Sequence, residues 1–211
     1  MIDYSLVIVA PIDIASVIDL QQTTVALWHR QEIANPYCGF LHVVCEQHQF
    51  NYRLWHEEDV ARSPDVGDPR IAAVKRAIDG YNQKRNDCIE QLDDYLVDDL
   101  RRRDVVAAVD ARQNTETPGS AIDRLSIMAL RLYHMQEQAT RVDAPPDQRA
   151  KVNARLTILR EQHGDLANSL AELLSDIYAG RKRLKVYRQF KMYNNPTLNP
   201  YLYQSPHRRA G

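Results

Sequence analysis

His48, Asn51, Trp55, Glu58, Asp59 and Arg62 recur one to four residues apart in one short stretch of the chain. At 100° per residue they fall on the same arc as Leu41 and Val44, while Glu46, Gln49, Arg53 and Glu57 fall opposite. A surface helix turns its apolar arc inward, so this helix carries polar chemistry towards the interior. Glu58 or Asp59 could act as a general base or orient a hydroxyl-rich ligand. Arg62 could hold a phosphate or carboxylate, and Trp55 offers a flat face for a sugar or a base. Glu58 and Arg62, four apart, could equally pair with each other.

The next stretch repeats the pattern. Val74, Ile78, Tyr81, Ile89, Leu92 and Leu96 mark an apolar side with Arg85 in its middle, and Asn82, Asn86 and Asp93 flank it. Asp123, next to Arg124, could join the same interior network. Buried polar groups are costly unless hydrogen-bonded, and buried charges more so. Two readings stay open: a hydrogen-bonded network that sets helix register, or a ligand site between helices. His163 interrupts a leucine seam near the level of Asp123 and reads as a satisfied core histidine.

Other chemistries have thinner support. His56-x-x-Asp59 and Asp87-x-x-Glu90-x-x-Asp93 have spacings that could share a metal, as in a metal-dependent phosphohydrolase. The paired Glu-x-x-His signature of di-iron bundles is absent. The acidic helix pair loosely resembles the all-α nucleotide pyrophosphatases, without their Glu-rich paired motif. His56 lies off the inner arc and reads as a surface or capping histidine. No metal and no cofactor are expected, and no nucleophile triad or phosphate-binding glycine loop is present. Arg181, Lys185 and Arg188 sit in a run without acids and, on a helix, would share one face as a secondary anion site.

The elements that must position these residues are helices. The chain has 211 residues, is 44% hydrophobic and contains only 7 glycines, which favours helix over sheet. Apolar spacing and Pro/Gly breaks predict helices over 12–33, 37–62, 70–103, 121–142 and 147–193, with a short one over 104–112. Ser120 is the expected N-cap of the fourth long helix. The last two are expected to form a hairpin, with a coiled-coil dimer as the alternative: Leu156, Leu159, His163, Leu166, Leu170, Leu173, Ile177, Gly180, Leu184 and Tyr187 keep the 3.5-residue repeat of knobs-into-holes packing, as do Ile122, Leu125, Ala129, Leu132, Gln136 and Ala139. The expected fold is thus all-α: one antiparallel helical bundle of about five to six helices spanning 1–211, with a long C-terminal hairpin. The tail over 194–211 should pack its first part through Leu198, Tyr201, Leu202 and Tyr203 and leave its end mobile.

With 27 basic and 28 acidic side chains the formal charge is −1, so nothing global draws the chain to nucleic acid or a membrane surface. Cys38, Cys45 and Cys88 are odd in number and form no C-x-x-C pair, which suits a reducing compartment. Leu6 to Ala10 is too short for a signal core or a span, so a cytoplasmic protein is expected.

Four motifs carry a resemblance. They are His48-x-x-Asn51-x-x-Leu54-Trp55-His56-x-Glu58-Asp59-x-Ala61-Arg62; Lys75-Arg76-x-Ile78-Asp79-x-x-Asn82-Gln83-x-Arg85-Asn86-Asp87; Pro118-Gly119-Ser120-x-Ile122-Asp123-Arg124-Leu125-Ser126; and Gln189-Phe190-Lys191-Met192-Tyr193-Asn194 with Asn199-Pro200. Over nearly the whole chain they resemble the domain of unknown function 4254 family. The resemblance implies an all-helical bacterial protein and an association with cell-surface polysaccharide or glycosyltransferase systems, with no activity to carry over. Asn195 stands where that pattern leads us to expect Asp.

The functional expectation is a polar interhelical site for a small anionic ligand, a sugar phosphate or nucleotide sugar. It would be lined by His48, Asn51, Trp55, Glu58, Asp59, Arg62, Asn82, Arg85, Asn86, Asp123 and Arg124. The alternative is an interaction module docking on a protein partner such as a glycosyltransferase.

Overall fold

The computed structural model describes residues 12–192 and 195–203. Expectations placed on the first eleven residues, on Tyr193 and Asn194, and on 204–211 lie outside it.

Six helices and one two-residue strand pair make up the described chain. Helix α1 (Ile14–Trp28) starts where the Asp13 carboxylate accepts the N–H groups of Ala15 and Ser16. Helices α2 (Gly39–Arg62) and α3 (Asp68–Arg102) form one hairpin, and α4 (Pro118–Ala139) and α5 (Pro146–Tyr178) form the other. Helix α1 packs on α4 and α2, and α3 packs on α4, which closes the bundle. The short α6 (Pro200–Tyr203) follows near the end.

The core lies where α1, α2, α3, α4 and α5 meet. Val17, Leu20 and Val25 of α1 join Val44, Leu92, Leu96, Ile122, Leu125, Leu130, Leu170, Leu174 and Tyr178 in one cluster. A smaller one, Leu54 with Val74 and Ile78, seals the far end of the α2/α3 hairpin. Cys45 and Cys88 are buried, and burial pushes both thiols up to about 12; Cys38, at the N-cap of α2, is exposed. No helix among the described residues is long and apolar enough to cross a membrane.

The boundaries correct several expectations. Helix α5 stops at Tyr178 rather than near 193, so α3, with 35 residues, is the longest helix. Gly180, read above as a seam position, is a left-handed terminator at φ +71°. The Arg181 N–H reaches Asp176 O and the Gly180 N–H reaches Ile177 O, which satisfies the last carbonyls and turns the chain away. The seam itself holds as far as Ile177, with Leu156, His163, Leu170 and Leu173 buried.

The stretch expected as a short helix over 104–112 is instead turns leading into β1 (Arg112–Gln113), which pairs in parallel with β2 (Lys182–Arg183). Thr117, not Ser120, caps α4, because its hydroxyl accepts the Ser120 N–H. Leu198, Leu202 and Tyr203 remain about half exposed and Tyr201 is 90% exposed, so these side chains find little cover on the bundle.

Candidate functional site

Asp123 is the centre of the interior network. It lies in the first turns of α4 and is buried, with partners from two other helices. Gln47 and Asn51 of α2 each donate a side-chain N–H to Asp123 Oδ1, the latter at 3.0 Å. Arg85 of α3 brings Nε to 3.0 Å of the same oxygen. Burial pushes the Asp123 carboxyl above its ordinary range, against the opposing pull of Arg85, Asn51 and Gln47.

One turn on, Ser126 Oγ accepts Asn51 Nδ2 at 2.8 Å and lies 2.6 Å from His48 Nδ1. His48 is fully buried, and burial holds its imidazole down at about 3, so it is neutral near pH 7. Gln21 of α1 adds a fourth helix through Nε2 to Ile122 O at 3.2 Å. His48 and Asp123 are therefore buried beneath the surface and do not line the cleft that opens above them.

Above this network a cleft of about 430 Å³ opens between α2, α3 and α4. Asn51, Trp55, Glu58, Asp59, Arg62, Asn82 and Arg85 line it over an apolar floor of Leu54, Ile127 and Leu130. Arg85 connects the two levels: its Nη1 donates to Asn82 Oδ1 at 3.3 Å and its side chain is 26% exposed. Glu58 and Arg62 form a rim pair at 3.0 Å rather than an interior one, with side chains 43% and 67% exposed; Asp59 stands 3.8 Å from Arg62. The helical arc that turns inward at His48 thus runs out into solvent by Arg62. Arg131 of α4 also lines the cleft, a residue that sequence spacing did not single out.

Asn86 and Arg124 fall elsewhere. Asn86 Oδ1 accepts Gln189 Nε2 at 3.4 Å under the chain that follows α5. Arg124 pairs with Glu116 at 2.7 Å and lines a neighbouring depression of about 710 Å³ between α4 and α5, which shares Ile127 and Arg131 with the cleft. His163 is buried, but its Nε2 has no hydrogen-bond partner and it is not among the partners of Asp123, so it is not a satisfied core histidine.

Arg181, Lys185 and Arg188, expected to share one helical face as a secondary anion site, are not aligned that way, because no helix exists there. Arg181 pairs with Asp176 at 2.8 Å, Lys185 lies over the Tyr187 ring, and Arg188 binds Asp94 and Glu90 of α3. The carboxylates with metal-like spacing are likewise dispersed. Asp87 accepts Gln83, Glu90 accepts Arg188 and the Gln189 N–H, and Asp93 accepts the Gly119 N–H. His56 is not an ordinary surface residue either: its ring is half-buried against His29, Tyr52 and His134.

No curated protein and no solved structure compared with the chain matches it. One family model does, over residues 41–186, which takes in α2 from its third residue, all of α3 to α5 and every side chain lining the cleft. By that match the chain belongs to the family described as protein of unknown function (DUF4254).

Proposed function

We propose that the cleft between α2, α3 and α4 binds a small anionic ligand of the sugar phosphate or nucleotide sugar class. Arg131 carries the reading. It lines the cleft together with Arg62 and Arg85, yet unlike them it has no ion-pair partner among the described residues. A cleft with three guanidinium groups and one of them uncommitted favours phosphate or carboxylate oxygens. The ring of Trp55 and the floor of Leu54 and Leu130 suit the flat, apolar face of a sugar or base, and Asn82 offers its amide N–H to hydroxyls. Glu58 and Asp59 would orient a ligand hydroxyl or take its proton. Such a ligand fits a cytoplasmic role beside the glycosyltransferases of bacterial surface polysaccharides, the setting that the family resemblance suggests.

Calorimetric titration of the full chain with UDP-glucose, glucose 1-phosphate and glucose tests this. Binding of a phosphate-bearing ligand but not of glucose is expected. Arg131→Gln should weaken it about tenfold or more, the scale of one lost charged hydrogen bond, with the helical circular dichroism unchanged. Failure of both phosphates to bind, or equal binding by the variant, overturns the reading.

One observation favours a second reading, docking on a protein partner such as a glycosyltransferase. Phe190 and Tyr201 are 83% and 90% exposed, and between them Met192 and Leu198 are about half exposed. Loss of co-purification with a glycosyltransferase in a Phe190→Ser, Tyr201→Ser variant that still binds UDP-glucose would support it. Co-purification unchanged by the two substitutions would remove it.

A further inference from the structure

Three imidazoles meet beside Trp55, which stacks on one of them and also lines the cleft. His29 ends α1, His56 lies in the last turns of α2, and His134 lies in the second half of α4. One ring nitrogen from each lies within 4.8 Å of the other two. Among the described residues no other such group of histidine, cysteine or carboxylate ligands occurs.

The hydrogen bonds of two of them fix which nitrogen carries the proton. His29 Nδ1 is 2.7 Å from Val25 O, an acceptor, so Nδ1 carries the proton and Nε2 presents its lone pair. His134 Nδ1 is 2.9 Å from Glu137 Oε2, with the same consequence. The Nε2 atoms of His29, His56 and His134 are all buried, and none has a hydrogen-bond partner. Three buried ring nitrogens without a partner, two of them with the lone pair exposed by the bond at Nδ1, are hard to account for as packing, since each gives up its hydration without replacement. In His29 and His134 one ring nitrogen is tied to a carbonyl or a carboxylate and the other is left for the cluster, which is how second partners orient imidazoles on a metal.

We propose that His29, His56 and His134 form a three-imidazole site for a divalent transition metal, zinc by preference. Neutral imidazoles without thiolate or carboxylate suit zinc and its borderline neighbours over magnesium or calcium. Ligand nitrogens of a tetrahedral zinc ion stand about 3.3 Å apart, so binding asks the rings to close by at most about 1.5 Å. The ring stacking of Trp55 on His134 at 4.8 Å and of Tyr133 on His29 at 4.3 Å holds the imidazoles in place around that point. Three protein ligands leave the fourth position to a water molecule, and the metal would join α1, α2 and α4 at one point. The proposal is independent of anion binding in the cleft.

Cobalt(II) titration of the chelator-stripped full chain, followed by zinc competition, tests it. One equivalent per chain is expected, with the intense visible bands of tetrahedral cobalt, displaced by zinc. Glu137→Gln, which keeps the packing but weakens the Nδ1 acceptor, should reduce affinity about tenfold to a hundredfold. His56→Ala and His134→Ala should abolish the spectrum, and His163→Ala should leave it unchanged. A wild-type chain without those bands overturns the proposal, whatever the variants do. So does a spectrum that survives in folded His56→Ala or moves with His163→Ala, which would place the metal elsewhere.

Discussion

Arg85 Nε and Asp123 Oδ1 stand 3.0 Å apart, with the carboxylate sealed in the bundle and the guanidinium reaching the floor of the cleft. The Nε–H itself lacks good hydrogen-bond geometry, so the contact is chiefly one of charge. Arg85 therefore both neutralises an interior carboxylate and presents a cation to the cleft.

Removing that cation should act first on folding. Arg85→Ala leaves Asp123 as an uncompensated buried charge and should lower stability by about 3 kcal/mol. Arg85→Ala with Asp123→Asn should be less destabilised than Arg85→Ala alone, because no charge is stranded. Urea unfolding of the wild type and the two variants gives the comparison. Equal stabilities for the single and double variants would show that Asp123 does not depend on Arg85.

Gly119 should tolerate no side chain. A Cβ there would sit 2.6 Å from Ile89 O and 2.9 Å from Asp93 Oδ1, where the Gly119 N–H also meets that carboxylate at 2.8 Å. Gly119→Ala should force α3 and α4 apart and cost about 1–3 kcal/mol. Ser120→Ala, one residue on, should change stability far less. Thermal unfolding of both variants tests the contrast.

The pH dependence follows from buried groups that act in opposite directions. Burial holds His48 down at about 3, below its ordinary unfolded value. Above pH ~6.5 it is neutral in both states; as the pH falls towards 3 only the unfolded chain takes up the proton, so stability is lost by up to ~1.4 kcal/mol per unit. His163, also lowered by burial, acts in the same direction. Asp93, raised by burial to about 6, does the reverse: between about 6 and its unfolded value the folded chain binds the proton, and stability is gained as the pH falls. Asp93→Asn removes the opposing gain. Its stability should fall more steeply than that of the wild type between pH 6 and 4 in urea unfolding at stepped pH.

Gly180 should be equally restricted, for a backbone reason. Its φ of +71° is left-handed, and a Cβ would meet Val106 O at 2.7 Å. Gly180→Ala should cost about 1–2 kcal/mol from the left-handed conformation alone. Loss of the Ala108 N–H bond to Gly180 O would add to it. Faster amide exchange at Ala108 in the variant would report that loss.

Much of the fold was legible because apolar spacing depends only on helical geometry. Leu156 to Ile177 announced α5, and the polar residues on the apolar arcs of α2 and α3 announced that something hydrophilic meets inside. Asn51, Arg85 and Asp123 do meet. Helix ends were less legible, since they turn on single residues. Gly180 fits a heptad as well as it fits a terminator, and Thr117 and Ser120 are both plausible caps until the chain direction before α4 is known. An arc on a wheel also says nothing of depth, so His48 and Arg62 looked alike, although one lies under α4 and the other beyond its cover. The histidines at 29, 56 and 134 were invisible together. They come from three helices, and only the packing of α1 against α2 and α4 brings them to one place.

The cysteines carry a practical consequence. Cys45 and Cys88 are sealed and their thiols stay protonated, whereas Cys38 stands in solvent where α2 begins. A maleimide reagent should therefore label the natural sequence at one position while it stays folded. A fluorophore there would ride on the same rod that carries Asn51, Trp55, His56 and Glu58, giving a reporter without any engineered change.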